Sequence, residues 1–218
     1  PVLGTVAAAS FIDIAEQSGL IEAIGPNVLR VACREAAGWR RPAGAPPLFI
    51  SVNVSPRQLR RGDLVEIVGE CLDSSGLLAS QLHLELTETA VIDDEMQASN
   101  LLAKLHGAGI KVWLDDFGTG FSGLSYLKRV PVDGVKIDRS FVVDLPRDPD
   151  DLALTTAIIS MAHSLGITVV AEGIEKRDQY ELLRERGCDL MQGYWMSHPL
   201  TADEFAALLA QPPRDIAG

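Results

Sequence analysis

Apolar residues follow two different periods along the chain, and the change between them predicts the fold class. In residues 11–19 and 21–37, apolar side chains recur at spacings of three and four, which predicts two helices broken near Gly19 and Gly25-Pro26. From residue 48 onward, short apolar runs alternate with amphipathic segments. Strands that alternate with helices through short connections are typical of a mostly parallel α/β sheet.

Six strands are predicted in this second part of the chain. They begin near residues 48, 82, 111, 134, 168 and 189. Helical patterns cover residues 64–72, 93–107, 122–129, 150–165, 176–187 and 201–210. Ser55 and Pro56 are suited to starting a further helix, and Thr201 and Glu204 have the spacing of a capping box.

Polar side chains stand at the ends of the predicted strands and form the candidate site. They are Asn53, Glu85, Asp115 with Asp116, Lys136 with Asp138, Glu172 and Gln192. In an open sheet only the strands near one switch point share a site, whereas in a closed barrel all carboxyl ends converge. We therefore predict a modified TIM (β/α)8 barrel. Because that barrel needs eight strands, the first strands are expected upstream of Pro1 and absent from this chain.

The stretch KVWLDDFGTG, from Lys111 to Gly120, lies at the centre of this pattern. An apolar run ends there in Asp115 and Asp116, and the glycines that follow turn the chain toward the next helix. Two adjacent like charges repel each other, so a fold rarely places them at a strand end without a compensating cation. A solvated acidic turn that caps the next helix is the structural alternative, but the polar ends of the other strands favour a site.

The side chains at these strand ends are mostly hard oxygen ligands. Such ligands suit Mg²⁺, Mn²⁺ or Ca²⁺ rather than copper or structural zinc, and the candidates are Asn53, Glu85, Asp115, Asp116, Asp138 and Glu172. Adjacent aspartates can serve two ions, and two ions about 4 Å apart are the usual device for cleaving phosphodiesters. Lys136 would position the attacking water and neutralise charge in the transition state. A salt bridge to a neighbouring aspartate is its structural alternative.

Composition and charge narrow the class of protein and its partners. A length of 218 residues with 47% hydrophobic residues fits a single domain over residues 1–218. The net charge of −11 argues against non-specific binding to DNA or RNA, although bound divalent metals still allow a small anionic ligand. No apolar run approaches the ~20 residues of a membrane span. We expect a cytoplasmic domain, which leaves open whether the full-length protein is membrane-anchored.

Several other reactive side chains are predicted to be structural. Cys33, Cys71 and Cys188 are scattered and form no CxxC pair, which argues against a disulfide framework or a thiolate zinc site. His83 lies inside a predicted strand, and no histidine is assigned to a metal. Glu16 lies in the first predicted helix, and we interpret it as a packing or capping carboxylate rather than a catalytic one.

Seven sequence blocks resemble those of the EAL-domain phosphodiesterases and occur in the same order. They are FIDIAEQSGLI at 11–21, SVNVSPRQL at 51–59, ELTET at 85–89, DDFGTGFSGLSYL at 115–127, VKIDRSFV at 135–142, AEGIE at 171–175 and QGYWMSHPL at 192–200. Together they span essentially the whole chain. The resemblance implies a modified TIM barrel that hydrolyses cyclic di-GMP to linear pGpG with two Mg²⁺ or Mn²⁺ ions.

The resemblance also implies which residues hold the two ions. The first ion would be bound by Asn53, Glu85 and Asp115. Asp115 would bridge to the second ion, which Asp116 would join, with Asp138 and Glu172 close to it.

Catalytic and supporting roles follow from the same resemblance. Lys136 would hold the nucleophilic water, Glu172 would be the general base or orient that water, and Asp116 would complete the catalytic group. Gln192 would reach the dinucleotide. Three further residues would support the site, namely Glu88, Glu175 and Thr119. Glu88 would steady the loop at 117–122.

The Glu-Ala-Leu segment that names the family should lie just upstream of Pro1, with a further metal-binding glutamate and a substrate-binding arginine. Two explanations for its absence stay open, an incompletely represented domain and a naturally shortened, inactive one. An active phosphodiesterase and a receptor that binds cyclic di-GMP without cleaving it are the two principal functions. A metal-dependent barrel enzyme acting on an enolisable acid is a more remote third.

The resemblance also has implications for partners, and the expected missing strands have a consequence for stability. It implies a homodimer and attached sensory or GGDEF-type domains in the full protein. A barrel that lacks strands exposes sheet edges and an open core, so a polypeptide of only these residues is expected to fold poorly or aggregate.

Overall fold

A six-stranded parallel sheet is the centre of the fold. The computed structural model describes residues 6–40, 44, 47–92, 95–120 and 124–211. Its strands are β1 (Ile50–Asn53), β2 (Leu82–Thr87), β3 (Lys111–Phe117), β4 (Gly134–Ile137), β5 (Thr168–Ala171) and β6 (Leu190–Met191). Each strand pairs in parallel with the next strand along the chain, in the order β1-β2-β3-β4-β5-β6.

This strand order is that of consecutive βα units, and it confirms the predicted α/β class with a barrel-like parallel sheet. All six predicted strands are present, with bounds that differ by at most a few residues from those expected. The strands expected upstream of Pro1 stay a prediction.

Helices connect the strands. The α-helices of the described residues are α1 (Ile12–Ser18), α2 (Ile21–Gly38), α3 (Pro56–Arg61), α4 (Leu64–Ser75), α5 (Glu88–Ile92), α6 (Glu95–Gly107), α7 (Pro149–Ser164), α8 (Arg177–Glu185) and α9 (Ala202–Leu209). Short 3-10 helices occupy Ala8–Ser10, Ala79–Gln81, Leu124–Lys128 and Arg139–Phe141. In the part of the chain that the structure describes, no helix is long and apolar enough to cross a membrane.

The capping predictions are confirmed. The Ser55 hydroxyl accepts a hydrogen bond from the backbone N–H of Arg57 at the start of α3, where Pro56 is the first helical residue. Thr201 and Glu204 form the predicted capping box at the start of α9. These bonds satisfy backbone N–H groups that a helix start otherwise leaves unpaired.

Two details of the helix prediction were wrong. The predicted break at Gly25-Pro26 is absent, because α2 runs continuously through both residues. Pro26 lies in the second turn, so it removes one hydrogen bond, and the buried face that includes Leu29 and Cys33 holds the helix together. The sequence also did not predict α5, which begins directly after β2. The predicted helix starts at residues 93 and 122 lie outside the described residues.

The two faces of the sheet have different roles. One face carries Leu84, Val112 and Val135, which are fully buried in the hydrophobic core beneath the helices. Side chains alternate between faces along a strand, so Glu85 and Lys136 belong to the opposite face, called here the inner face.

An aromatic stack lies on the inner face, one layer below Glu85. His83 stacks on Phe49 with ring centroids 4.1 Å apart, and it lies 5.0 Å from the Trp113 ring. The His83 side chain is buried among these rings, which agrees with its predicted structural role. These rings therefore lie on the inner face below the carboxyl ends of β2 and β3.

Candidate active site

The strand register brings the predicted site residues to one edge of the inner face. Asn53 is aligned with Glu85, and Thr87 is aligned with Asp115. Lys136 is aligned with Val170, which is itself aligned with Leu190. Alternate residues along a strand share a face. Glu172, two residues after Val170, and Gln192, two residues after Leu190, therefore lie on the inner face just beyond the ends of β5 and β6.

The Lys136 ammonium is the centre of this group. Its Nζ atom lies 2.6 Å from Glu85 Oε2, 2.6 Å from Glu172 Oε1 and 3.1 Å from Asp115 Oδ1. Lys136 is 4% exposed and Glu85 is 6% exposed. The structural alternative for Lys136, a salt bridge, is thus observed, but it involves two glutamates as well as the aspartate.

The protonation of this group follows from burial and ion pairing. Burial favours the neutral amine of Lys136, but its contacts with Glu85 and Glu172 outweigh that effect and raise its pKa. Burial also raises the pKa of Glu172, although the neighbouring ammonium partly offsets this. Lys136 is therefore a fixed cation, and Glu172 is a carboxylate with an increased affinity for a proton.

Asp116 adopts a strained backbone conformation beside this centre. Its φ angle is 54°, and it is the one non-glycine residue with positive φ in the described part of the chain. The pairing of β3 with β4 is irregular at this point, between Leu114 and Phe117. The Thr119 hydroxyl donates a 2.8 Å hydrogen bond to the Asp116 carbonyl, which helps to hold this conformation.

Negative charge accumulates around Asp116. Burial raises the pKa of its carboxyl group, and the nearby carboxylates of Asp115 and Asp138 raise it further. Asp138 is itself held in place, because its Oδ1 atom accepts a 2.9 Å hydrogen bond from the Ser140 N–H. Asp115, Asp116 and Asp138 thus form an electrostatically unfavourable group in the absence of a further cation.

Glu88 supports the turn that follows Asp116. This residue is 4% exposed, and its Oε2 atom accepts a 3.2 Å hydrogen bond from the Gly118 N–H. Burial raises the pKa of the nearby Tyr126 above its ordinary value, and the Glu88 carboxylate adds to this effect. Glu88 therefore lies under the turn rather than among the converging strand ends.

Two glycines lie where the loops that follow β4, β5 and β6 pack closely against one another. Gly173 has φ 71°, and a Cβ atom there would overlap the Arg139 side chain. A Cβ atom on Gly193 would overlap the Ile174 backbone, whose N–H donates a 3.1 Å hydrogen bond to the Gln192 carbonyl. The glycine of AEGIE therefore fits a left-handed backbone against the Arg139 side chain, and the glycine of QGYW fits close approach to the Ile174 backbone.

A small pocket opens between these loops, next to Glu172. Its volume is about 190 Å³, and it is lined by Arg139, Glu172, Gly173, Glu175, Gln192, Gly193 and Tyr194. Arg139 Nη2 donates a 2.8 Å hydrogen bond to Glu175 Oε1 across one wall. Gln192 is thus close to Glu172 on the pocket surface.

Asn53 reaches the same edge from β1. The next residue, Val54, donates its N–H to the Glu85 carbonyl at 2.8 Å, which joins the ends of the two strands. Asn53 itself is exposed. The structure thus brings Asn53, Glu85, Asp115, Lys136 and Glu172 together, with Asp116, Asp138 and Gln192 at the margin.

The donor chemistry of this group fits divalent metal ions. All the candidate ligands are oxygen donors, and one buried ammonium faces several carboxylates, which leaves an excess of negative charge. Among the described residues, no three acidic, histidine or cysteine side chains already surround a common point as metal ligands. The carboxylates of Glu85, Asp115 and Glu172 instead each place one oxygen atom on Lys136.

Sequence reasoning did not identify Arg139 or Tyr194 as part of the pocket. Arg139 follows Asp138 directly in the VKIDRSFV block, and its position next to a candidate ligand was the available signal. Its pairing with Glu175 depends on the fold of a loop 36 residues away in sequence. The position of Tyr194 in the pocket could not be predicted for a similar reason, since it depends on how the loops after β5 and β6 pack together.

Solved structures similar to this chain contain cyclic di-GMP. The structure of the MucR phosphodiesterase from Pseudomonas aeruginosa in complex with c-di-GMP has a TM-score of 0.88 and 38% identity, covering 94% of this chain and 83% of that one. Klebsiella pneumoniae BlrP1, in complex with manganese and c-di-GMP, has a TM-score of 0.75 and 32% identity, covering 88% and 47% of the two chains.

Sequence comparison gives the same result. The cyclic di-GMP phosphodiesterase NbdA of Pseudomonas aeruginosa is 42% identical over 200 residues, which are 92% of this chain and 25% of that protein. The chain spans roughly a quarter of the length of the curated relatives it matches. The EAL domain profile matches residues 1–199. The order of the strands, the polar residues at their ends and these similarities agree, and the chain belongs to the EAL domain family.

Proposed function

We propose that this chain carries the active site of a phosphodiesterase that hydrolyses cyclic di-GMP to linear pGpG. The observation that carries the proposal is the buried Lys136 ammonium, held by Glu85, Asp115 and Glu172 where the strands converge. The names of NbdA and MucR support the substrate and the reaction class.

Two Mg²⁺ or Mn²⁺ ions would complete this site. Their ligands would come from Asn53, Glu85, Asp115, Asp116, Asp138 and Glu172. When bound, the ions would activate water and neutralise charge on the phosphate, as in other two-metal phosphodiesterases. The manganese in the BlrP1 complex supports this choice of ion.

The side chains of this chain would carry out the remaining steps. The reaction adds one water across a P–O3′ bond of the cyclic dinucleotide, so that the phosphorus gains the water oxygen and the 3′ oxygen leaves with a proton. Glu172 would accept the proton of the water, which its raised pKa favours. The Lys136 ammonium would orient that water and stabilise negative charge on the phosphate. Gln192 would hold the dinucleotide from the pocket wall.

Three supporting residues would maintain this arrangement. Glu88 and Thr119 bond to the turn that carries Asp116, and Glu175 pairs with Arg139 beside Gln192. We propose that these contacts keep the acidic group and the substrate pocket in a fixed relation. Such indirect contacts commonly change metal affinity or activity by about 10- to 100-fold when they are removed.

The proposal is tested with the full-length protein, cyclic di-GMP and Mn²⁺, with the product followed by chromatography. Wild-type protein should form pGpG, and Glu172→Gln should not. Glu185→Gln is a matched control, since Glu185 is exposed on α8, and it should keep full activity. If the wild type binds cyclic di-GMP but yields no product, the receptor alternative is correct. Loss of activity on chelation of Mn²⁺ is also expected.

We further propose a larger signalling protein around this domain. The chain would form one barrel domain over residues 1–218, attached to sensory or GGDEF-type domains and working in the cytoplasm. The name of MucR as a bifunctional diguanylate cyclase and phosphodiesterase supports such a domain composition. A homodimer stays a prediction, which sedimentation of the full-length protein would decide.

A further inference from the structure

The first sequence block contributes no carboxylate to the strand-end group, yet its helix contacts the chain next to Asn53. Glu16, on α1, accepts a 2.7 Å hydrogen bond from the Ser55 hydroxyl through its Oε1 atom. The Glu16 backbone carbonyl accepts a 2.6 Å hydrogen bond from Arg57 Nη1. These bonds join residues 39 and 41 positions apart and begin two residues after Asn53.

The segment held by Glu16 has its other polar groups paired as well. The Ser55 hydroxyl also accepts the Arg57 N–H at 3.2 Å, and Ser55 N–H donates to Gln58 Oε1 at 3.1 Å. Gln58 is 6% exposed. Between Asn53 and Ser55, the N–H of Val54 donates a hydrogen bond to the Glu85 carbonyl.

We propose that Glu16 is a positioning residue that fixes Asn53 for metal binding. Asn53 is the last residue of a strand of only four residues and it is exposed, so its position depends on how the chain after it is held. The hydrogen bond from the Ser55 hydroxyl to Glu16 attaches the chain to α1 two residues after Asn53. The inference rests on the proposed function, because the metal-binding role of Asn53 belongs to it.

A purely structural role for Glu16 makes a different prediction. If Glu16 only attached α1 to α3, its loss would lower the melting temperature and leave metal affinity unchanged. Groups that orient metal ligands typically alter metal affinity by about 10- to 100-fold when removed. Metal affinity measured without substrate therefore separates the two roles.

The test measures Mn²⁺ binding to the full-length protein by isothermal titration calorimetry without nucleotide. Glu16→Ala should weaken Mn²⁺ binding by at least about tenfold. Glu16→Gln keeps an oxygen acceptor for the Ser55 hydroxyl and should stay within about twofold of wild type. Asp13→Ala, an exposed carboxylate on the same helix, should have no effect. Wild-type affinity in Glu16→Ala, or equal loss in Glu16→Gln, overturns the proposal.

A second pair of variants covers the case in which Glu16→Ala does not fold. Ser55→Ala removes the hydroxyl and should weaken Mn²⁺ binding, whereas Ser55→Thr keeps it and should restore binding. Unchanged binding in Ser55→Ala overturns the proposal.

The outcomes for the wild type distinguish this proposal from the proposed function. A wild type that binds Mn²⁺ but does not hydrolyse cyclic di-GMP refutes the proposed function alone, since Mn²⁺ binding to the Glu16 variants still tests the role of Glu16. A wild type that binds no Mn²⁺ refutes both.

Discussion

Lys136 Nζ lies 2.6 Å from Glu85 Oε2, although the two residues are 51 positions apart in sequence. Both side chains are almost completely buried, and they come from strands that are not neighbours, since β3 lies between β2 and β4. The contact is possible because the inner face of the sheet brings side chains from separate strands together at one edge. It makes the lysine the electrostatic centre of the site.

Removal of this ammonium should abolish most of the hydrolytic activity. Lys136→Met leaves Glu85 and Glu172 without their shared cation, and loss of such preorganised charge costs about 10²- to 10³-fold in rate. Lys111→Met, at the exposed start of β3, is the control and should stay within about twofold of wild type. Turnover of cyclic di-GMP at saturating Mn²⁺ is the measurement. Comparable rates for the two variants would contradict a catalytic role for Lys136.

The loops after β5 and β6 pack too closely to accommodate a side chain at Gly193. Gly193→Ala places a methyl group against the Ile174 backbone, and such overpacking costs about 1–3 kcal/mol. Gly69→Ala is a matched control, because that residue lies inside α4 with open space around it, and it should gain up to about 1 kcal/mol. Urea denaturation gives both free energies of unfolding. A Gly193→Ala protein as stable as wild type would show that the loops can separate freely.

The buried His83 should make the protein less stable in mild acid. Burial lowers the pKa of His83 from 6.5 to about 4, with Lys111 adding to this effect. The pKa of His83 is thus lower in the folded state than in the unfolded state. The contribution of neutral His83 to the free energy of unfolding is therefore fully present above about pH 6.5 and is lost as the pH falls toward 4. The total loss is up to about 3 kcal/mol.

The His83 contribution can be isolated by substitution. His83→Phe keeps an aromatic ring between Phe49 and Trp113 but cannot be protonated. The difference in unfolding free energy between the variant and the wild type, followed by urea denaturation from pH 7.5 to 4.5, should change with pH. A difference that is constant over this range would mean that His83 binds a proton equally well in both states.

Loss of Glu88 should affect activity through the turn after Asp116. Glu88→Ala frees the Gly118 N–H, and we expect turnover to fall by about tenfold or more. Glu88→Gln retains an oxygen acceptor and should lose less. Steady-state kinetics at saturating Mn²⁺ separates the two. Equal losses would show that the charge of Glu88 matters rather than its hydrogen bond.

The apolar periodicity of the chain was sufficient to predict its architecture. The run at 134–137 and the run at 168–171 were predicted as strands and have those bounds in the structure. Short β-branched runs between amphipathic segments have few other ways to bury their apolar side chains. One of the two exceptions, α2, passes through Gly25-Pro26 because tertiary burial of one helix face outweighed a local breaker signal.

The candidate site was predictable for a related reason. Parallel strands have the same direction, so polar residues at their carboxyl ends must come to the same edge, whatever the exact register. Asn53, Glu85, Asp115, Lys136 and Glu172 could therefore be grouped from sequence. The family motifs then indicated a chemistry for the group.

The pairwise contacts within the site were decided only by the tertiary structure. The bonds from Lys136 to Glu85, from Arg139 to Glu175 and from Ser55 to Glu16 join residues dozens of positions apart. Local propensity carries no information about such distances, since they depend on strand register and on loop packing around Gly173 and Gly193. The sequence by itself determined which residues meet at the sheet edge, and the packing of the loops and helices determined which of them touch.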